Sequence, residues 1–393
     1  MKSKEKMRKR LLRTFSFIIS IVLMSSYLIF IINAEETQEY PNLSLDCKSA
    51  ILMEAQTGEI LYASNENEPL PPASVTKIMT LLLIMEAIED KKIAYTDMVT
   101  ASENACSMGG SQIFLEVGEQ MTVEELIKSV VIASANDAAV TLAEYIAGTE
   151  EAFVQMMNQK AKELKMENTN FENTNGLDDT TENHVTSAKD IAIMSRELIK
   201  YPKITEYSSI WMDTVRNGEF GLTNTNRLIR FYKGATGLKT GSTSKAGFCI
   251  SATAERDGMT LIAVIMAAPS RDLRNSAAVS LLNYGFSNYT VYKDTVSPSL
   301  EIPVVKGVNP KCPTLSEEFI AVIPKSQAGR VEKKLQTEET LIAPVTKGQK
   351  VGTVTYTVNG KTLGTSNIIA AESVQATGFI DVFIKMLAKL VLK

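Results

Sequence analysis

The chain has 393 residues, 45% of them hydrophobic and 22% charged, with a formal net charge of −4. This balance is an ordinary globular one, and its sign argues against a nucleic-acid partner. The single histidine and the four cysteines, Cys47, Cys106, Cys249 and Cys312, form no Cys-x-x-Cys pair and argue against a zinc cluster; the cysteines read as buried free thiols. No metal and no cofactor is expected. The length predicts about two or three domains.

Residues 1–34 read as an export segment. Lys2, Lys4, Lys6, Arg8, Lys9, Arg10 and Arg13 make a basic start, residues 15–32 carry no charge, and Ile32-Asn33-Ala34 offers a cleavage site. The uncharged run is intermediate between a signal core and a short membrane span. The acidic stretch from Glu35 favours a cleaved signal, and in either case the positive-inside rule sends the remainder out of the cytoplasm.

The folded region is expected from near Leu45. Residues 50–54 and 59–62 read as strands around the turn Gln56-Thr57-Gly58. A helix starts after Pro71-Pro72, carries Ser74 in its first turn and runs to about Glu89. A loop containing Met108-Gly109-Gly110-Ser111 follows. Thr122-Val123-Glu124-Glu125 is a capping box that opens a helix to about Ile132. Further helices are predicted from Asn136 to about Ile146, over 150–166, and from Ser187 to about Lys200. The pattern changes after Gly237: residues 238–241 read as a short strand, and 247–254 and 260–266 as two strands joined across Asp257-Gly258, a hairpin signal. Residues 271–284 close the region as a helix. The prediction is an α+β domain over 35–290, an antiparallel sheet with helices packed against it.

Helical periodicity is absent over 291–374, where 320–323 and 352–358 read as strands and Asn359-Gly360 as a hairpin turn, so a small all-β domain is expected. Residues 375–393 are predicted to form an amphipathic helix. Phe379, Phe383, Met386, Leu387 and Leu390 take one face, and Asp381, Lys385, Lys389 and Lys393 the other, a pattern suited to a membrane interface.

The chemistry is organised around Ser74-Val75-Thr76-Lys77. A serine and a lysine three apart share one helix face, which sets a nucleophile beside a base. The motif is weak alone, since Ser3-Lys4-Glu5-Lys6 in the basic start also matches it. Its weight comes from two partners that follow in order, Ser134-Ala135-Asn136 between two helices and Lys239-Thr240-Gly241 on a strand. Together they suit acyl transfer. Ser74 attacks a carbonyl, and Lys77 takes its proton once burial and the Lys239 charge lower its pKa. Ser134 relays a proton to the departing amine. Asn136 holds Lys77 and a substrate amide, and Lys239 and Thr240 receive a carboxylate. Gly241 lets the substrate backbone approach, and the N–H groups of Ser74 and Ser242 form an oxyanion hole. His184, the one histidine, reads as a structural or rim residue rather than as part of a triad.

With these motifs the chain resembles the serine-type D-alanyl-D-alanine carboxypeptidases, the low-molecular-mass penicillin-binding proteins. Met108-Gly109-Gly110-Ser111, Asn136-Asp137-Ala138, Asn175-Gly176-Leu177-Asp178, His184 with Thr186-Ser187-Ala188-Lys189-Asp190, and Gly237-Leu238-Lys239-Thr240-Gly241 carry the resemblance. It implies a penicillin-binding/β-lactamase-like transpeptidase fold. It also implies removal of the terminal D-alanine from peptidoglycan stem pentapeptides, and acylation of the same serine by β-lactams. Two alternatives compete. A β-lactamase would share the motifs, but 172–175 lacks a Glu-x-x-Leu-Asn pattern for fast deacylation. A non-catalytic peptidoglycan-binding protein has no need of all these residues.

Overall fold

The apolar runs of the sequence become a central five-stranded sheet. A computed structural model describes residues 40–179, 181–378 and 383. The predicted export segment 1–34 lies outside these residues, as does nearly all of the predicted terminal helix 375–393. Strands β1 (Ser49–Glu54) and β2 (Ile60–Ser64) form the first hairpin. A 3-10 turn, Ala73–Thr76, runs directly into helix α1 (Lys77–Glu89). Nearly every residue of α1 is buried, so it is a central core helix and not an amphipathic surface one. Each fully buried Leu, Ile or Met of this helix contributes about 1.5–3 kcal/mol.

In the chain, the helical layer comes between β2 and the last three strands of the sheet. It comprises the short hairpin β3 (Met98–Thr100) and β4 (Gln120–Thr122), and the helices α2 (Glu103–Cys106), α3 (Val123–Lys128), α4 (Asn136–Ala147), α5 (Glu150–Glu163), α6 (Ala188–Leu198) and α7 (Pro202–Ser208). The capping box at Thr122 and Glu125 forms as expected. Helix α3 does not run on to Ile132 as an α-helix; a π-helical turn over Ser129–Ala133 replaces its end. Beyond α7 come the hairpin β5 (Met212–Val215) and β6 (Phe220–Thr223) and a single helical turn, α8 (Leu228–Phe231). Then follow β7 (Ala235–Thr243), β8 (Gly247–Arg256) and β9 (Met259–Ala268). The strand expected over 238–241 is longer than its apolar pattern, because a register shift between Ala235 and Gly237 interrupts the alternation.

The sheet order is β2-β1-β9-β8-β7, antiparallel throughout, with β7 at an edge. Alternate residues of β9 face opposite ways. Ile262, Val264 and Met266 join the core shared with α1, α4 and α6. Leu261 faces the other side, beneath Gly285 of α9 (Arg271–Asn288). Burial on both faces explains why β8 and β9 read as continuous apolar runs.

Helix α9 leads directly into β10 (Tyr289–Asp294) and an all-β domain. This contains β11 (Ser297–Val305), β12 (Lys311–Ser316), β13 (Phe319–Pro324), β14 (Val331–Thr337), β15 (Leu341–Ile342), β16 (Lys350–Val358) and β17 (Lys361–Ala370). Strand β10 pairs with β13, and the six others form a sheet in the order β14-β16-β17-β12-β11-β15. The Asn359-Gly360 turn closes the β16–β17 hairpin with positive φ at both residues, as its sequence predicts. Among the described residues no helix is long and apolar enough to cross a membrane.

Candidate active site

Two prolines stop the chain before the 3-10 turn, and α1 is buried from Lys77 to Met85, so Ser74 is held at the mouth of a cleft with Lys77 beneath it. Lys77 is fully buried, and its Nζ has three neighbours: Ser74 Oγ at 2.9 Å, Asn136 Oδ1 at 2.5 Å and the Asn175 carbonyl at 2.7 Å. The carbonyl can only accept, and Asn136 Oδ1 can only accept while its amide nitrogen donates to Gly109 O at 2.6 Å. Two N–H bonds of Lys77 are therefore committed. In a neutral amine the third direction is the lone pair, and it points at the Ser74 hydroxyl. Burial first, and the Lys239 charge second, hold Lys77 well below the ordinary lysine value, with Asp137 opposing them.

The second motif comes from the π-helical turn. It delivers Ser134 in the left-handed region, at φ 65° and ψ 29°, a conformation that costs a non-glycine residue about 1–2 kcal/mol. Asn136 follows at the start of α4. The buried Asp137 carboxylate accepts the N–H groups of Ile113 and Leu115, and Asn136 donates its own N–H to Ser111 O at 2.7 Å. These bonds strap the Met108–Ser111 loop against the motif.

The third motif lies on the edge strand β7. Lys239 Nζ donates to Ser134 Oγ at 2.8 Å and to Thr240 O at 2.9 Å; burial and the nearby Arg274 bring its pKa down to about 7. Thr240 Oγ1 donates to Thr225 Oγ1 at 2.7 Å. Gly241 has a reason within the protein itself. A Cβ there would lie 2.8 Å from the Ser74 nitrogen and 2.9 Å from Pro72 O, so glycine lets the strand close on the Ser74 turn. Gly241→Ala is expected to fold but to lower the acylation rate about a hundredfold, read as stopped-flow β-lactam binding. Ser242 lines the same cleft as Ser74, Ser134, Thr240 and Gly241. All eight residues named from the sequence thus converge through two hydrogen-bonded groups, Ser74–Lys77–Asn136 and Ser134–Lys239–Thr240, with Gly241 and Ser242 between them.

His184 is not in the cleft. Its Nδ1 accepts the Glu172 N–H at 3.0 Å, so Nε2 carries the proton and donates to Thr76 Oγ1 at 2.8 Å. Thr76 in turn donates to Ala73 O at 2.8 Å, which fixes the residue before Ser74. A Ser-His-Asp triad is therefore absent. Burial lowers the His184 pKa from 6.5 to about 4. The unfolded chain then binds the extra proton between those pH values, so stability is full above pH 6.5 and falls as pH drops toward 4, by up to about 3 kcal/mol. His184→Gln should remove that component from urea unfolding measured at pH 7.5 and pH 4.5.

Cys249 faces Gly241 across the β7–β8 pair, but it is fully buried and its thiol is pushed up to about 11, which leaves it chemically inert. All four cysteines are free thiols, but against the expectation of burial only Cys249 and Cys312 are buried, while Cys47 and Cys106 are half-buried. Among the described residues no group of His, Cys, Asp and Glu could hold a metal ion.

Sequence reasoning missed the cationic side of the cleft. The cleft encloses about 630 Å³, and its described lining has four arginines, Arg227, Arg230, Arg271 and Arg274, and no carboxylate. Arg274 is buried, and burial and Arg271 bring it down to about 10, so it stays charged near neutral pH. Two Arg-x-x-Arg spacings, each at a helical turn, were the available signal. Asn175 was also missed as a contributor, because it acts through its backbone carbonyl.

A profile of D-alanyl-D-alanine carboxypeptidases matches residues 34–270, and one of the penicillin-binding protein 5 C-terminal domain matches residues 286–376. The chain belongs to the D-alanyl-D-alanine carboxypeptidase family. It is 44% identical to the D-alanyl-D-alanine carboxypeptidase DacF of Bacillus subtilis over 86% of this chain and 88% of that one. It is 34% identical to DacC of Escherichia coli, over 88% of each. Among solved structures, penicillin-binding protein 5 of Haemophilus influenzae superposes with a TM-score of 0.75 at 32% identity, covering 86% of this chain and 99% of that one. The fold is accordingly the penicillin-binding, transpeptidase-like one, helices and an antiparallel sheet followed by an all-β domain.

Proposed function

We propose that the chain is an exported serine carboxypeptidase that removes the terminal D-alanine of peptidoglycan stem pentapeptides through an acyl-enzyme on Ser74. The observation that carries this reading is the three-point environment of Lys77 Nζ, which leaves a buried, depressed-pKa amine only the Ser74 hydroxyl as proton donor. Ser74 attacks the carbonyl of the penultimate D-alanine while Lys77 takes its proton. The Ser74 and Ser242 N–H groups stabilise the oxyanion, each donor worth roughly 3–4 kcal/mol. Ser134, bonded to Lys239, passes a proton to the leaving amine. The terminal carboxylate sits at Lys239, Thr240 and Arg274, where buried cations lack an acidic partner among the described cleft residues. Asn136 orients the substrate amide, and Gly241 keeps the strand close. Water then hydrolyses the ester and regenerates Ser74.

The same geometry supports acylation by β-lactams, whose carboxylate and carbonyl present the same pair of groups; a relative from Listeria monocytogenes, penicillin-binding protein D2, has a structure in an ampicillin-bound form. Fast hydrolysis of the penicilloyl ester is not expected. Glu172 spends its carboxylate on the N–H groups of Glu182 and Asn183, and no carboxylate reaches the described cleft lining to activate a deacylating water. Fluorescent penicillin followed by peptide mapping tests the assignment: the adduct should sit on the peptide containing Ser74, and an adduct elsewhere would remove Ser74 from the role.

The basic, then uncharged N-terminus supports export, and the amphipathic pattern at 377–393 supports attachment to the outer face of the membrane. Removing 377–393 is expected to release the protein from the membrane fraction. Retention would instead make the N-terminal segment the anchor.

A further inference from the structure

Lys77 keeps its amine aimed at Ser74 only while two acceptors hold its other N–H bonds, Asn136 Oδ1 and the Asn175 carbonyl. Asn136 stands at the start of a helix, whereas the carbonyl belongs to a loop. That loop has a weak point at Gly176. The residue sits at φ 85°, and a Cβ there would lie 1.9 Å from Ala73 O, so only glycine lets the loop close on the residue before Ser74. Glycine also accepts either sign of φ, which leaves the 175–176 peptide plane free to turn over. A turned plane would present the Gly176 N–H to the lysine in place of the carbonyl.

The residues on either side of this plane are anchored. Glu150 Oε1 accepts the Thr174 N–H at 3.0 Å and its hydroxyl at 2.8 Å, and Thr174 O accepts from Thr80 of α1 at 2.6 Å. Leu177 donates its N–H to Asn175 Oδ1 at 2.9 Å. The plane itself is held by Asn173. Gly176 donates its N–H to Asn173 Oδ1 at 2.7 Å, on the side opposite the carbonyl that meets Lys77. The same Oδ1 accepts the Asn175 N–H at 3.3 Å, and Asn173 Nδ2 donates to Leu177 O at 2.6 Å, which fixes the way its amide faces. Asn173 is not among the residues that line the cleft.

Resting on the carboxypeptidase reading above, we infer that Asn173 is a positioning residue for the proton transfer from Ser74 to Lys77, because it locks the 175–176 peptide with its carbonyl toward the amine. With the plane locked, Lys77 spends two N–H bonds and points its lone pair at the Ser74 hydroxyl. With the plane free, the amine turns about its Cε–Nζ bond and the lone pair loses its aim. The carbonyl also favours the charged amine, since an ammonium donates the stronger hydrogen bond. Its loss should therefore lower the Lys77 pKa further while slowing the transfer. The charges that bear on Lys77, Lys239 on β7 and Asp137 on α4, are the same in either state.

The test follows acylation by a chromogenic β-lactam in stopped flow as a function of pH, with its concentration varied to separate affinity from the acylation step. Asn173→Ala is expected to slow the acylation step by about ten- to a hundredfold, with affinity within about twofold, and to move the acid limb to lower pH. Asn173→Asp keeps the acceptor and adds a negative charge across the peptide from the amine. It should recover most of the lost rate at high pH and move the limb the other way, up by about 1 unit. A role in folding alone would lower the unfolding temperature and leave the limb in place. Limbs that coincide in the parent and both variants would overturn the inference. So would Asn173→Asp as slow as Asn173→Ala, or a loss carried by affinity. If Asn173→Ala does not fold, the limb of Asn173→Asp decides alone. A parent protein that releases no D-alanine from a pentapeptide would instead overturn the carboxypeptidase reading, while the acylation limbs still decide on Asn173.

Discussion

Ser74→Ala is expected to lower D-alanine release from a pentapeptide by at least about 10⁴-fold and to abolish covalent penicillin labelling. The reason is that no other hydroxyl among the described residues has the same environment. Ser134 is a neighbour in the cleft, but its Oγ accepts from Lys239, whereas Ser74 alone faces the free direction of the Lys77 amine. The substitution should leave the fold intact, because Lys77 keeps its bonds to Asn136 and to the Asn175 carbonyl. Circular dichroism and thermal unfolding of the variant should match the parent. A variant retaining a tenth of the activity would move the nucleophile elsewhere.

The second large effect concerns the two lysines. Acylation requires neutral Lys77, so its rate should climb with pH through the Lys77 pKa, which burial and the Lys239 charge hold well below the ordinary lysine value. Lys239→Gln removes that neighbouring charge, and the Lys77 pKa should rise. The acid limb of the kcat/KM profile should therefore move to higher pH, by about 1 unit or more. Affinity should fall as well, since a carboxylate ligand loses its cation. Lys77→Gln should remove the limb and cost about 10²–10⁴ in rate, the worth of general-base catalysis. An unchanged limb in Lys239→Gln would mean that the base titrates independently of Lys239.

Much of the fold was legible because its signals are local. The Thr122–Glu125 capping box, the Asp257-Gly258 and Asn359-Gly360 turns and the prolines before Ser74 each act within a few residues, and the structure has each where the sequence implied. The apolar runs of β8 and β9 were strong because both faces of the sheet are covered. The region between α6 and β7 was not legible. Helix α7, the β5–β6 hairpin and the single turn α8 are too short for periodicity to register, and long-range bonds from Asn224 and Asn226 hold them in place. Nothing in the sequence marked Arg274, in the first turn of α9, as buried; its Nη1 donates to Cys249 O on β8, a long-range packing that no local pattern encodes. The π-helical turn before Ser134 is likewise a tertiary adjustment, continuing a helix that the sequence would have extended.

The central claim is that this cleft removes one residue from the end of a stem peptide. Mass spectrometry of purified pentapeptide muropeptides after incubation with residues 35–393 of the chain tests it most directly. The account predicts a stoichiometric loss of one alanine from each pentapeptide, with free D-alanine recovered and the reaction blocked by prior penicillin treatment. Pentapeptides that remain intact while penicillin still labels Ser74 would contradict it, and would make the protein a binder of these peptides rather than their carboxypeptidase.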